Sequence, residues 1–586
     1  MNYQMKNFST EQTELLRSFL FTAPHSNVSL IYPQQLVAGE ELAPLISAYS
    51  RSNQPLQERV LEFVDKQKNT EAKALLPHLP ELMKTFRNED GSLKISKKTR
   101  NFSKKWVLAH GHSSIKEMNS IFGCVEGISD ICGKLITGHP LAHPQVKSSR
   151  YISFEDTLDM ALVDPDIQNL SCSNEIIEHL KELNTEYLNA TKYLANAVFK
   201  SEETDQIREF LTRDSVLDMH GEKLFNRAKK KDPELVKTDT LIEELKSQAY
   251  ENINSDEYVM GQLEKFVLDR SRVYLPGSTR TSLGFMIDGR TCEEIITTLL
   301  TSPLIEAQSF GNQIWTETKK ISPVLLGDQS HIKKDEWKYE LDTDFRKELA
   351  TRLDYIVMHS EQKFGRVYSP SFVHSRGEDT RSAVMAAYKY SDFSFDDLIE
   401  QLKEKDVKWI LDRTHEHRNK FDQLHESGGH GGMLTEMTMP YHGYRDMFRH
   451  RKGARSNQLY TTVHGFENVE IFNHFDINSR YELLMNKNNE LFRKAAKENP
   501  HAAQKVVAFG QLCRAAHSWS LEQIGYIARI RANIETGNIS YVKTVHQIVD
   551  GVKRLSPQLA SKINYNQEMF PEHIWKEGYD LFRSKK

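Results

Sequence analysis

Two stretches of the chain carry the same order of apolar and polar positions. In the first, NVSLIYPQQL sets Val28, Leu30, Ile31 and Tyr32 as a short strand. A helix follows with Leu45, Ala48 and Tyr49 on one face, then the polar break SRSNQP, then a second amphipathic helix opened by Leu56, Val60, Leu61 and Phe63. In the second, VYSPSF precedes TRSAVMAAYKYSDFSFDDLIEQLKEKD. Ala387-Tyr388 falls where Ala48-Tyr49 does, and Phe395-Asp396-Asp397 falls where Leu56-Gln57-Glu58 does. Strand, helix, break and helix in one register predict an internal duplication.

The rest of the pattern divides the same way. Ile121, Phe122, Val125 and Ile128 predict a strand or short helix with one buried side, followed by a polar loop carrying His139, His143, Gln145, Ser148, Ser149 and Arg150. Pro140 and Pro144 keep that loop from being helical. Residues 155–260 mix acidic and basic positions on helical spacing and read as a solvated helical insertion. From Asp269 an extended Val273-Tyr274-Leu275-Pro276 leads into a strand and a helix through Cys292 to Leu300, with residues 506–552 as the counterpart. Residues 316–365 read as the linker and the start of the second copy.

Composition narrows the class without naming a function. A formal charge of −4 over 586 residues gives no global attraction for nucleic acid or an acidic membrane. Five scattered cysteines without a CxxC pair argue for a reducing compartment and against a zinc ribbon or disulfide scaffold. No apolar run is long enough for a membrane span and no signal-type leader is evident, so a cytoplasmic location is expected. The histidine pairs His110/His112 and His139/His143 lack a helix to present them as ligands, and His415-Glu416-His417 and His425-Glu426 do not form an HExxH pair, so no metal is expected. Tyr388, Tyr441 and Tyr444 read as core or rim residues.

One local feature departs from this even background. Arg445 to Asn457 reads RDMFRHRKGARSN, and its centre, Arg449-His450-Arg451, follows an apolar-faced helix. Arginine presents a planar fork that matches phosphate in two-pronged fashion, so the triplet can grip a phosphorylated ligand or form a solvated basic face. Nucleic acid is a weaker match for it, because no aromatic residues interleave the cations for base stacking.

These elements together resemble the flavin-dependent thymidylate synthases, whose signature is R-H-R-x-x-S-x-N-E-x-S-x-R-Y. On Gly138 to Tyr151 the signature meets His139, Ser148, Arg150 and Tyr151, with Gln145 at its asparagine. Gly138 and Pro140 replace both flanking arginines, His143 the first serine, and Val146 the glutamate. His112 to Glu117, including Ser114, resembles the element that precedes the signature. Arg272 with Leu275-Pro276, Arg290, and Ala307-Gln308 resemble later family elements. In the second half Arg445, Arg449, His450 and Arg451 resemble the front of the signature, while Ala454, Ser456, Asn457, Leu459 and Thr461 depart from its remainder.

The resemblance implies an α+β fold of two tandem domains, 1–330 with a helical insertion at about 155–260 and 331–586. Each would be a mainly antiparallel sheet flanked by helices. It implies reductive methylation of deoxyuridine monophosphate with FAD as cofactor and NADPH and methylenetetrahydrofolate as co-substrates, and no protein cysteine as nucleophile. Arg449, His450, Arg451, His139 and Ser114 would contact the flavin. Ser148, Arg150 and Arg290 would be the catalytic group, and with Gln145 they would hold the nucleotide. A homodimer would form a pseudo-tetramer, and the two half-signatures would face each other across one pocket. The alternative is a divergent relative that binds flavin or nucleotide with lost or changed activity.

Overall fold

The computed structural model describes residues 8–22, 26–31, 53–66, 78–105, 114–150, 152–155, 158–212, 214–232, 234–326, 344–345, 347–349, 351–353, 372–374, 378–416, 433–519, 521–532, 537–555 and 565. Two antiparallel sheets organise these residues. The first holds β1 (Leu20–Phe21), β2 (Val28–Ile31), β3 (Ser120–Ser129), β4 (Gln145–Val146) and β5 (Arg280–Asp288) in the order β1-β2-β3-β5-β4. The second holds β6 (Phe372–His374), β7 (Met433–Pro440), β8 (Arg455–Asn457) and β9 (Leu512–Trp519) in the order β6-β7-β9-β8. The second order therefore repeats the first from β2 onward.

Each sheet is built on one long central pair, β3 with β5 and β7 with β9. The strand alternative is the one realised at Ile121 to Ile128, and β3 is buried on both faces beyond Ser120, as a strand covered by helices must be. Its bulge between Glu126 and Ile128 is allowed by Gly127, which has a φ of 72°. A buried glutamate in each central strand accepts from the N-terminus of a helix. Glu126 takes the Leu56 N–H at 2.9 Å, and Glu436 takes the Phe395 N–H at 3.0 Å.

The halves meet through backbone. Pro276 forms an antiparallel bridge with Ala508. Around it, the Gly277 N–H donates to Val507 O and the Phe509 N–H to Leu275 O, both at 2.8 Å. The Ser278 N–H donates to Lys505 O and the Gly510 N–H to Val273 O, both at 2.9 Å. Exchanging the halves maps each bond of these pairs onto the other. The expected extended stretch at Val273 is instead a 3-10 turn, Arg272–Tyr274, matched by a 3-10 turn at Gln504–Val506.

The helices that follow the central strands hang from matching carbonyls. Asp130 N–H donates to Thr279 O at 3.0 Å and starts helix Asp130–Thr137; Tyr441 N–H donates to Gln511 O at 2.9 Å and starts helix Tyr441–Met447. β4 and β8 take matching places as well: Gln145 and Val146 lie opposite Gly284 and Leu283, and Ser456 and Asn457 lie opposite Ala516 and Ala515. Counted from these anchors, Arg449-His450-Arg451 stands where Gly138-His139-Pro140 stands.

The reading of 155–260 as solvated is corrected by helix Ser173–Phe199. Its face of Ile176, Leu180, Leu183, Tyr187 and Leu194 is buried in a core shared by both halves. It lies along helix Asn478–Glu498, where His179 meets Asn488 at 3.1 Å and Lys487 meets Glu182 at 2.8 Å. Charge-rich sequence hid this because the ionic residues rim an apolar seam. Helix Ile305–Ile321 continues the first half into the region read as linker. The expected helix through Leu45, Ala48 and Tyr49 lies outside the described residues, as do Tyr32, His110, His112, Tyr151, His417, His425 and Glu426. Tyr388, Tyr441 and Tyr444 are fully buried.

Beside the backbone bridge, Lys505 of the second half enters a buried group of acids in the first. Its Nζ lies 2.7 Å from Asp164, 2.8 Å from Asp166 and in contact with Glu306, while Arg280 also pairs with Asp164 and Glu306. The three carboxylates are close enough together to hold a metal ion, but the ammonium occupies that position. Buried charges are tolerated here because each has partners of opposite sign.

Candidate functional site

A cavity of about 390 Å³ opens where the two matching helices approach each other. From the first half it is lined by Asp130, Gly133, Lys134 and Thr137 of one helix, by Pro144 to Val146 and Ser148 to Arg150 of the loop and β4, and by Arg272, Thr281 and Leu283. The second half contributes Arg445, Asp446, Phe448, Arg449 and Arg451. The last three follow or end helix Tyr441–Met447, where the helix dipole favours cations. One wall is apolar, and the remainder is polar, with one lysine and five arginines beside Asp130 and Asp446.

The guanidinium groups are held by a few buried carboxylates. Asp269, fully buried behind the cavity, receives Arg150 Nε at 3.1 Å and lies 2.9 Å from Arg272 Nη2. Burial alone would raise its carboxyl, but Arg150, Arg272 and Arg270 outweigh that and hold it well below the usual range. Asp446 is depressed in the same way: burial opposes, and Arg449, Arg531, Arg150 and Arg272 prevail. Arg445 binds Asp130 through Nε at 2.9 Å and donates to Ser149 Oγ at 2.5 Å. Tyr441 OH donates to the same Asp130 at 2.6 Å.

The cations exceed these counterions. Arg451 has no carboxylate within 4 Å among the described residues, and Arg449 has only Asp446, at 3.7 Å. Arg272 is buried with Nε and Nη2 lacking hydrogen-bond partners, its approach to Asp269 being an ion pair without hydrogen-bond angles. Lys134, 3.1 Å from Asp130, has its ammonium pushed down to about 8 by burial, against the pull of Asp130 and with the repulsion of Arg445. Unused buried donors around a partly open space suit an anion with several oxygens.

The structure brings Gln145, Ser148, Arg150, Arg449 and Arg451 to this cavity and leaves other expected site residues elsewhere. Arg290 heads helix Gly289–Leu300 and pairs with Glu117 at 2.8 Å and Glu294 at 3.4 Å; these carboxylates take up its fork away from the cavity. His139 Nε2 meets Glu294 at 2.7 Å. Ser114 is exposed at the start of the short helix Ser114–Glu117. His450 is buried behind the cavity and meets Arg531 Nε at 3.2 Å; burial and Arg531 push its imidazole down to about 3, so it is neutral at physiological pH. All five cysteines are buried free thiols that do not line the cavity.

Lys134, Asp130, Ser149 and Asp446 were not singled out by sequence reasoning as site residues. Arg445 carried a signal in the basic stretch and Arg272 in its Leu-Pro context. Lys134 carried none, since it sits in an ordinary amphipathic helix.

The fold and cavity define an α+β protein with a cationic site shared between two similarly ordered sheets. Residues 54–324 match the family model described as thymidylate synthase complementing protein. A UPF0159 protein of Chlamydia muridarum is 22% identical over 575 residues, covering 95% of each chain. A UPF0159 protein of Chlamydia pneumoniae is 25% identical over 302 residues, 50% of this chain and 55% of the relative. A third, from Thermoplasma acidophilum, is 20% identical over 497 residues, 83% of this chain and 92% of the relative. No solved structure matches.

Proposed function

We propose that this chain is a thymidylate synthase of the flavin-dependent type, methylating deoxyuridine monophosphate reductively. The single observation that carries the reading is the cavity in which Arg150 and Ser148 of one half share a space with Arg449 and Arg451 of the other. The residues suit a flavin cofactor as far as charge and shape are concerned: unpartnered buried donors for a pyrophosphate, and Phe448, Leu283 and Val146 as an apolar wall for a planar ring. FAD would supply hydride and the carrier of the methylene unit, and NADPH and methylenetetrahydrofolate would serve as co-substrates.

In this reading Arg449 and Arg451 hold the cofactor phosphates. Arg150 and Ser148 hold the nucleotide phosphate, and Gln145 offers its amide to the base. Asp269 fixes Arg150 before the ligand arrives, so less ordering is left to do on binding. The two sheets are read as copies of one ancestral unit, a single chain acting as a pseudo-dimer and two chains as a pseudo-tetramer. Their repeated strand order and exchangeable hydrogen bonds support this.

The purified protein is expected to be yellow or to take up FAD, and to release tritium from deoxyuridylate labelled at the ring position that is methylated. A colourless protein that cannot be loaded with flavin and releases no tritium refutes the proposal. The second reading, a relative with changed activity, is favoured by Val146, which puts an apolar side chain at the cavity where the signature has glutamate. Thymidine-free growth of a thymidine-requiring strain carrying this gene would exclude it.

A further inference from the structure

The matching place in the second half is built from equivalent backbone and filled with side chains. Where the open cavity has Asp130, Thr137 and Ser149, the counterpart has Tyr441, Phe448 and Tyr460. All three rings are buried, and Tyr441 stacks on Tyr460 with centroids 4.2 Å apart. The lysine that enters from the first half sits among them: Lys134 Nζ lies 4.9 Å from the Tyr441 ring, 5.1 Å from Phe448 and 5.8 Å from Tyr460. Gly138, where the second half has Arg449, lies so close to Phe448 and Arg455 that a Cβ would stand 3.3 Å from each, with Lys134 O nearer still. No arginine fits there, so the filled place also lacks the cation that the open one has.

We infer that each chain has one site for the nucleotide substrate, and that the filled counterpart has become a positioning device for the open site. Its aromatic box fixes Lys134, and Lys134 with Tyr441 fixes the Asp130–Arg445 pair on the cavity floor. The inference rests on the proposed reading of the cavity as a nucleotide site. Its physical content is a chain of contacts from box to ligand space. Three ring faces attract one ammonium; that ammonium and the Tyr441 hydroxyl hold Asp130 at 3.1 and 2.6 Å; and Asp130 holds Arg445 at 2.9 Å with its fork on Ser149. Tyr441 and Tyr460, which do not line the cavity, thus act on the ligand only through Arg445 and Lys134.

The test is calorimetric titration of the full-length protein with deoxyuridine monophosphate, with melting curves to establish that each variant is folded. Wild type is expected to bind one nucleotide per chain. Tyr460→Phe keeps the ring and is expected to bind as wild type does. Tyr460→Leu removes the ring face at similar volume, and Tyr441→Phe removes only the hydroxyl on Asp130. Each is expected to weaken binding about tenfold at unchanged stoichiometry, which is the loss of one buried cation–π or charge-assisted contact. Two nucleotides per chain in the wild type would overturn the inference and leave the functional reading standing. So would wild-type affinity in folded Tyr460→Leu and Tyr441→Phe. Failure of the wild type to bind any nucleotide overturns the functional reading, and the inference with it.

Discussion

The open cavity and its filled counterpart are made by matching elements, and the difference between them lies in a handful of side chains. Ser148, Ser149 and Arg150 face the open site; Leu459, Tyr460 and Thr461 stand in their places in the second half. Arg449 and Arg451 serve the open site from the far half, and Gly138 and Pro140 stand opposite. Backbone geometry alone therefore does not make a binding site. A site needs donors left over after folding, and the second half has spent its space on rings that satisfy one lysine.

The largest effect should come from removing the counterion that has no likeness in the filled half. Asp269→Asn leaves Arg150 and Arg272 buried without their shared carboxylate. Breaking a buried pair on one side costs about 3–5 kcal/mol. Urea denaturation should show that loss, and nucleotide binding should fall with it. An Asp269→Asn protein as stable as wild type would mean that the cavity arginines are not held as described.

Next in size is the contrast between Arg451 and Pro140, which occupy matching places on the two sides. Arg451→Ala removes a cavity cation with no carboxylate partner among the described residues, so its loss should be felt by the ligand rather than the fold. Binding of nucleotide or flavin is expected to weaken by about 2–4 kcal/mol, or roughly 30- to 1000-fold. Melting temperature should change little. Pro140→Ala, on the exposed opposite side, should leave affinity unchanged in the same titration. Equal effects from the two substitutions would erase the distinction between an open and a filled side.

How far this asymmetry could be read from sequence depends on the kind of signal. The repeated pattern and the divided signature pointed to two halves and to Arg449, Arg451, Ser148 and Arg150, because charge and hydrogen-bonding type are written in single residues. The plug was not legible: Tyr441 and Tyr444 read as core or rim, which is what buried rings look like without coordinates. Lys134 was equally silent, since a lysine every turn or two is ordinary on a helix. Arg290 shows the opposite case. A motif position suggested a phosphate, but Glu117 and Glu294 surround it, and Glu117 lies far away in sequence.

Histidine provides a smaller test across the same pair of places, His450 being buried and His139 half-buried against Glu294. The imidazole of His450 titrates at about 3 in the folded chain and near 6.5 when unfolded. The unfolded state therefore binds more protons between those values, and stability falls as pH drops from 6.5 toward 3. A group held fully neutral contributes about 1.4 kcal/mol per pH unit to that slope. His179, at about 4, adds to it, and the depressed carboxyls of Asp269 and Asp446 add further loss below pH 4. Denaturation midpoints followed from pH 7 to 4.5 should decline less steeply in His450→Gln than in wild type; identical slopes would show that His450 is not held neutral.

The smallest expected effect separates geometry from resemblance most cleanly. Arg290 occupies a motif position for the nucleotide phosphate, yet its side chain is 35% exposed and engaged with Glu117 and Glu294, which are 44% and 38% exposed. Exposed pairs of this kind are worth about 0.2–1 kcal/mol, so Arg290→Ala should lower stability by no more than that. Within one chain it should leave nucleotide affinity unchanged, because the cavity is lined without it. If Arg290→Ala instead abolishes binding while Arg451→Ala does not, the ligand sits on the outer face beside His139 and Glu294. The cavity between the halves would then be a structural feature, and the two sides would have exchanged the roles assigned to them.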